Sequence, residues 1–184
     1  MKMYDFPMKK DNWISANVEN RETKDKERGM FAIQPIQAGE VVVSFGGEYT
    51  TDPNEAEAAR LAGKLIMQWD ATLWSIEDRG DGEDYFLNHS CDSSLWMQDA
   101  YTLIAKRDIL TDEELTADYA LWEADETFIA KWECRCGSLG CRKKITGKDW
   151  RLRELQERYR NHFSPLLNKR ITNIRHMRDN SASV

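Results

Sequence analysis

Apolar and polar positions alternate on a short scale along most of the chain and stretch to helical spacing in two regions. Gly29 to Ile33 and Val41 to Phe45 are brief apolar, β-branched or aromatic runs separated by Pro35, Ala38 and Gly39, which predicts two strands paired through a turn. Trp69 to Ile76, Leu95 to Met97 and Ala100 to Ala105 read as further strands, and Arg79-Gly80-Asp81-Gly82 reads as a turn. A helix is expected from about Asn54 to Ile66, because Thr51 or Asp52 can cap it and Pro53 suits its first turn. Another starts near Asp149, its expected cap, and sets Leu152, Leu155, Tyr159 and Phe163 on one face. Pro165 breaks it, and a last helix from about Leu166 to Met177 carries Leu167, Ile171 and Ile174 at similar spacing. The pattern predicts a mainly β, α+β domain with a helical insert and C-terminal helices whose apolar stripes pack onto the body.

At 184 residues and 41% hydrophobic content, the chain can bury one sizeable core. No apolar stretch approaches the roughly 20 residues that span a bilayer, and Met1 to Asn20 shows no signal-peptide block, so membrane insertion and export are disfavoured. An intracellular protein is expected, cytoplasmic and nuclear sites being indistinguishable. The net charge of -6 is unevenly spread: Arg142 to Val184 holds twelve basic and four acidic residues, and the rest holds 14 and 28. An acidic body argues against nucleic acid and fits a cationic partner.

Three of the four cysteines crowd into Cys134-Arg-Cys136-Gly-Ser-Leu-Gly-Cys141. In a compartment that keeps thiols reduced, this spacing points to a metal rather than to disulfides, although a cluster of free thiols is the alternative. A tetrahedral zinc site takes four ligands, and Cys91 is the remaining cysteine. The ion would then tie the C-terminal cluster to the loop Asn88-His89-Ser90-Cys91, with His89 as a rival ligand.

Arg28-Gly29-Met30-Phe31-Ala32, Ile36-Gln37-Ala38-Gly39-Glu40-Val41, Gly47-Glu48, Asn88-His89-Ser90-Cys91-Asp92, Glu114-Leu115-Thr116-Ala117-Asp118-Tyr119 and the cysteine cluster with Arg142 follow one another in an informative order. In this order the chain resembles SET-domain protein lysine methyltransferases with a post-SET zinc motif, over about Glu27 to Arg142. The resemblance implies a β-clip of short curved sheets with a knot-like crossing, in which the Asp118-Tyr119 segment passes under a loop near Asn88-His89. It divides the chain into an N-terminal segment (1–26), a SET domain (27–120, insert about 51–82), a post-SET segment (121–147) and a helical tail (148–184).

The same resemblance implies S-adenosylmethionine in one pocket and a target lysine entering by a channel from the opposite face. Tyr119 takes the position of the catalytic tyrosine. Gly29, Met30 and Phe31 would face the methionine part of the cofactor, Asn88 and His89 its adenine end, with Tyr85 nearby and Trp132 covering the adenine. Ala117 stands where the family commonly has Phe or Tyr in the lysine channel, which predicts products beyond monomethyl-lysine unless Trp122 or Phe128 fills the space. Phe45 replaces a Tyr, and Asp92-Ser93-Ser94 replaces Asp-Pro-Asn, which is expected to loosen a turn.

The expected function is methyl transfer from S-adenosylmethionine to the lysine side chain of a protein substrate, a basic one drawn in by an acidic rim. Asp108, Asp112, Glu113, Glu114, Asp118, Glu123, Asp125 and Glu126 would form that rim, or simply a solvated face. A non-catalytic SET-like binding module is one alternative, and the same transfer onto a non-histone protein or small amine is another. The reaction is an in-line displacement that requires no metal or acid–base pair at the reacting centre.

Overall fold

The computed structural model describes residues 9–24, 28–78 and 86–181. In chain order, β1 (Lys9–Lys10), β2 (Trp13–Ile14) and β3 (Val18–Glu22) precede β4 (Arg28–Ala32), β5 (Val41–Ser44) and β6 (Gly47–Thr50). Helix α1 (Pro53–Leu61) leads to β7 (Leu65–Asp70) and β8 (Leu73–Glu77), then β9 (Asn88–His89), β10 (Leu95–Met97), β11 (Thr102–Ala105) and β12 (Glu114–Ala117). Short 3-10 turns at Tyr119–Leu121 and Asp149–Arg151 and helices α2 (Arg153–Arg158) and α3 (Pro165–Ser181) complete the order. The strands form a smaller sheet, β1-β6-β8-β7, and a larger one, β2-β5-β11-β10-β12-β4-β3, with β9 beside β12. This is the β-rich α+β architecture expected from the pattern. Among the described residues, no helix is long and apolar enough to cross a membrane.

The two first apolar runs are strands, but they do not pair with each other. β4 lies between β3 and β12, whereas β5 lies between β2 and β11. Between them Pro35 has no N–H to offer, and Ile36 is tied to Ile109 by bonds of 3.0 and 2.8 Å in the two directions, which leads the chain away from a hairpin. Val42 and Val43 of β5 are fully buried, as β-branched residues in a central strand should be.

Helix α1 begins as expected: Pro53 takes its first turn and the Asp52 carboxylate accepts the Asn54 N–H at 2.8 Å. It stops at Leu61 rather than Ile66, because Gly63 adopts a left-handed φ of +86° that ends the helix, and Leu65 then opens a strand. The single strand expected over Trp69 to Ile76 is the end of β7, a turn at Ala71, and most of β8. Asp70 Oδ1 accepts the Ala71 N–H at 2.7 Å and fixes that turn. The turn expected at Arg79 to Gly82 lies outside the described residues.

The helix expected from Asp149 is shorter. Asp149 does not cap it, since its carboxylate accepts from Thr146 Oγ1 at 2.7 Å and from Arg142 Nε at 2.8 Å. Leu155, Tyr159 and Phe163 still bury on one face, while Leu152, 40% exposed, stays outside. Pro165 starts α3, where Ser164 Oγ accepts the Leu167 N–H, and Leu167 and Ile171 pack into the core as expected.

Among the described residues, strand β12 meets three neighbours. β4 runs antiparallel to it at Glu114 and Leu115, β9 parallel at Thr116 and Ala117, and β10 parallel at Ala117 on the other edge. The chain from Ser90 to Ser94 therefore crosses from one edge of β12 to the other, around the point where Asp118 and Tyr119 leave the sheet. Ser93 and Ser94 do not loosen this crossing: both are fully buried, Ser93 Oγ donates to Leu95 O at 2.9 Å, and Ser94 Oγ accepts the Thr116 N–H at 3.0 Å.

Candidate active site and metal centre

Tyr119 follows β12 directly, capped into a 3-10 turn by Asp118, whose carboxylate accepts the Ala120 N–H at 3.0 Å. The Tyr119 hydroxyl donates to Leu87 O at 3.0 Å, and its backbone N–H donates to His89 Nδ1 at 3.2 Å. Because that nitrogen accepts, the hydrogen of a neutral His89 ring sits on Nε2, which lies 3.4 Å from Cys91 Sγ. Among the described residues, three aromatic rings surround the phenol: His89 at 5.1 Å edge-on, Trp122 at 5.5 Å tilted, and Trp132 at 6.2 Å edge-on. Trp132 also packs on His89 at 5.7 Å and keeps 45% of its surface exposed, so it presents a face outward over the two residues behind it.

Ala117 is fully buried two residues before Tyr119. Of the two rings considered for the space beside it, Trp122 packs on Tyr119, and Phe45 in turn meets Trp122 at 6.1 Å and stacks on Trp69 at 5.4 Å. A wall of aromatic carbon thus runs from Trp69 to the Tyr119 phenol.

Asn88, at the start of β9, uses its amide to hold β4 and β12 together: Nδ2 donates to Arg28 O and to Glu114 Oε1, each at 2.8 Å. Gly29 is required by this bond pattern. A Cβ there would stand 2.8 Å from Glu114 Oε1 and 3.0 Å from Asn88 Nδ2, inside van der Waals contact. Met30 is fully buried and, with Phe31, lies in a strand flanked on both edges, so their main-chain groups sit within the ladder. Tyr85 lies outside the described residues.

The sulfur atoms of Cys91, Cys134, Cys136 and Cys141 lie within 4.8 Å of one another, Cys91 and Cys134 at 3.9 Å. Four thiolates on a central zinc stand about 3.8 Å apart, given zinc–sulfur bonds of about 2.3 Å in a tetrahedron, so the donor set and spacing fit such an ion. Burial pushes the Cys91 thiol well up and Cys134 up to about 11; burial acts on Cys136 in the same sense, but hydrogen bonds from the Ser138 hydroxyl and N–H, with those involving Cys91 and Cys134, together outweigh it and bring Cys136 down to about 5. His89, the rival ligand, is oriented by Tyr119 instead and faces Cys91 from outside the cluster. Ile145 fills the underside, and the Cys134 N–H donates to Lys143 O at 2.7 Å, bracing the segment that carries Trp132.

Two charged residues form a feature the sequence did not disclose. Asp118, counted above with the acidic rim, is fully buried, and Arg142, read as part of a basic run, reaches it with Nη1 at 2.8 Å and Nη2 at 2.6 Å. The Tyr159 hydroxyl adds a bond to Asp118 at 3.2 Å. Burial alone would lower the Arg142 pKa, but the Asp118 and Asp149 carboxylates hold it above the ordinary guanidinium value. The signal was Arg142 standing directly after the last cysteine. Other rim candidates are engaged too: Asp112 with Arg21, Glu113 with Arg107, Glu114 with Asn88 and Glu126 with Arg151.

A SET domain family model matches residues 27–120, just over half of the chain. Among relatives, histone-lysine N-methyltransferase ash1 of Drosophila melanogaster is 30% identical over 158 residues, covering 77% of this chain and 7% of the relative. Histone-lysine N-methyltransferase ASHH3 of Arabidopsis thaliana is 28% identical over 144 residues, covering 64% and 35%, and an H3 lysine-4 specific histone-lysine N-methyltransferase of Yarrowia lipolytica is 31% identical over 128 residues, covering 62% and 11%. The chain spans about a third or less of the length of these relatives. With its β-rich curled sheets and the ordered motifs on β4, β9 and β12, the chain belongs to the SET domain family.

Proposed function

We propose that this chain transfers a methyl group from S-adenosylmethionine to the lysine side chain of a protein substrate. The observation that carries the reading is the fixed Tyr119 phenol, held by Leu87 O and enclosed by His89, Trp122 and Trp132. The cofactor, when bound, supplies an electrophilic methyl on sulfur; the outward face of Trp132 with His89 behind it suits a purine. From β4, contact with its methionine part falls to Arg28, the exposed residue at the start of the strand, since Met30 and Phe31 are occupied by the ladder.

Tyr119 commits its hydroxyl hydrogen to Leu87 O, so towards an incoming amine its oxygen can act only as the acceptor of an N–H. The carbon wall of Phe45, Trp122 and Ala117 strips water from that amine, lowers its pKa and favours the neutral nucleophile. Alignment in such a passage supplies about 7 to 11 kcal/mol in well-oriented reactions. The amine nitrogen bonds to carbon as the carbon–sulfur bond breaks, and the surplus proton leaves to solvent. The four cysteines would hold zinc as a closed site with no open position, so its work is to brace the Trp132 lip rather than to do chemistry.

The relatives' names concern histone lysines, and a basic, histone-like protein is the proposed substrate class. Incubation with labelled cofactor and whole-cell extract should label a protein at lysine, and Tyr119→Phe should abolish the label. Bound S-adenosyl compound without any transfer would instead establish a binding module.

A further inference from the structure

A closed ring of contacts joins the cysteine site to Tyr119. The Arg142 backbone N–H donates to Cys91 Sγ at 3.3 Å, and the Arg142 guanidinium grips Asp118 through two bonds. Asp118 is bonded in the chain to Tyr119, whose N–H donates to His89 Nδ1, and His89 Nε2 returns to the same Cys91 sulfur at 3.4 Å. The ring is braced from outside: Asp149 holds Arg142 Nε, and Tyr159 and the Ala120 N–H hold Asp118. Asp118 is fully buried and the Arg142 side chain is 9% exposed, so neither can exchange its partner for water without moving the backbone.

We propose that Arg142 is a positioning residue that makes the placement of the Tyr119 phenol depend on the state of the Cys91 sulfur, and so couples metal occupancy to turnover. A coordinated sulfur has one position, which fixes both the Arg142 N–H and the His89 ring; Asp118 and Tyr119 are then held from both sides. A sulfur released by its metal turns about its own side-chain bond, and both ends of the ring loosen together. The coupling is reciprocal, so disturbing the Asp118 end must also weaken the hold on the metal. This rests on the proposed catalytic role of Tyr119.

The test uses the full chain loaded with zinc, and with cobalt for its sulfur-to-metal charge-transfer band. Tyr119→Phe comes first: full turnover in that variant would end the catalytic reading itself, whatever Arg142 does. Given an inactive Tyr119→Phe, Asp118→Asn and Arg142→Lys should each lower kcat by about 10- to 100-fold, with the KM for cofactor within about twofold. Both should also speed metal release to a chelator by about tenfold and move the cobalt band, though neither side chain is a ligand. Unchanged kcat, or a lowered kcat with wild-type metal release and band, overturns the coupling. Should either variant fail to fold, nuclear magnetic resonance of the unmodified protein decides: exchanging zinc for the larger cadmium should shift the Tyr119 and Ala120 amide signals, and shifts confined to the ligand-bearing stretches 89–92 and 132–143 overturn the proposal.

Discussion

The indole of Trp122 leans over the phenol of Tyr119 at 5.5 Å, tilted by 39°. Phe45 in turn meets that indole at 6.1 Å, and Ala117, fully buried two residues before Tyr119, adds only a methyl group. On the proposed function, the wild-type chain is expected to carry lysine past the monomethyl product. Ala117→Phe places an aromatic ring at a fully buried position and should hold the product at monomethyl-lysine, at a stability loss of about 1 to 3 kcal/mol. Intact-mass spectra of a peptide substrate after exhaustive turnover check both statements; a wild-type reaction that halts at one methyl contradicts the first.

Arg142 and Arg153 both pair with carboxylates, but in different surroundings. Arg142→Met leaves Asp118 buried without its counter-charge and should lower stability by about 3 to 5 kcal/mol. The exposed Arg153–Glu157 pair is screened by water, so Arg153→Ala should leave the denaturation midpoint unmoved. Guanidinium titrations of the two variants side by side make the comparison.

Burial, together with the Asp118 carboxylate, pushes the Tyr159 phenol up to about 12, against about 10 for a free tyrosine. The native state keeps this proton where the unfolded chain has lost it. Its stabilising contribution is complete below about pH 10 and disappears as the pH rises towards 12, a swing on the order of 2 to 3 kcal/mol. Tyr159→Phe should flatten that part of the stability curve, measured as denaturation midpoints from pH 8 to 11.5; parallel curves for the two proteins would show that Tyr159 is not its source.

Removal of metal by a chelator should release the lip, separate Trp132 from His89 and Tyr119, and stop methyl transfer, with recovery on adding one equivalent of zinc. Tryptophan fluorescence, with Trp132→Phe as control, follows the first step. Since thiolates and not thiols ligate, affinity should fall as the pH is lowered.

Much of this site was legible in the sequence, and the reasons are local. Cys91 was found 43 residues from its partners because a tetrahedral ion needs a fourth ligand. The starts of α1 and α3 were legible because Asp52, Pro53 and Pro165 act on the residues beside them. The partners of β4 and β5 were not, because an apolar run says that a strand is buried without saying against what. Asp118 and Arg142 were misread for a related reason: a count of charges along a chain carries no information about depth, so a buried pair was divided between an acidic rim and a basic tail.

The crossing of Ser90 to Ser94 around β12 bears on how the molecule is made. β12 joins strands that begin as much as 86 residues upstream, and its neighbours β4, β9 and β10 have no common partner until it arrives. The contacts that β12 makes with β4, β9 and β10 must then close late, which predicts slow folding for a chain of this size. On the ribosome, β4, β9 and β10 would each wait with an edge unpaired until residue 117 clears the exit tunnel, and in that interval the nascent chain depends most on a chaperone.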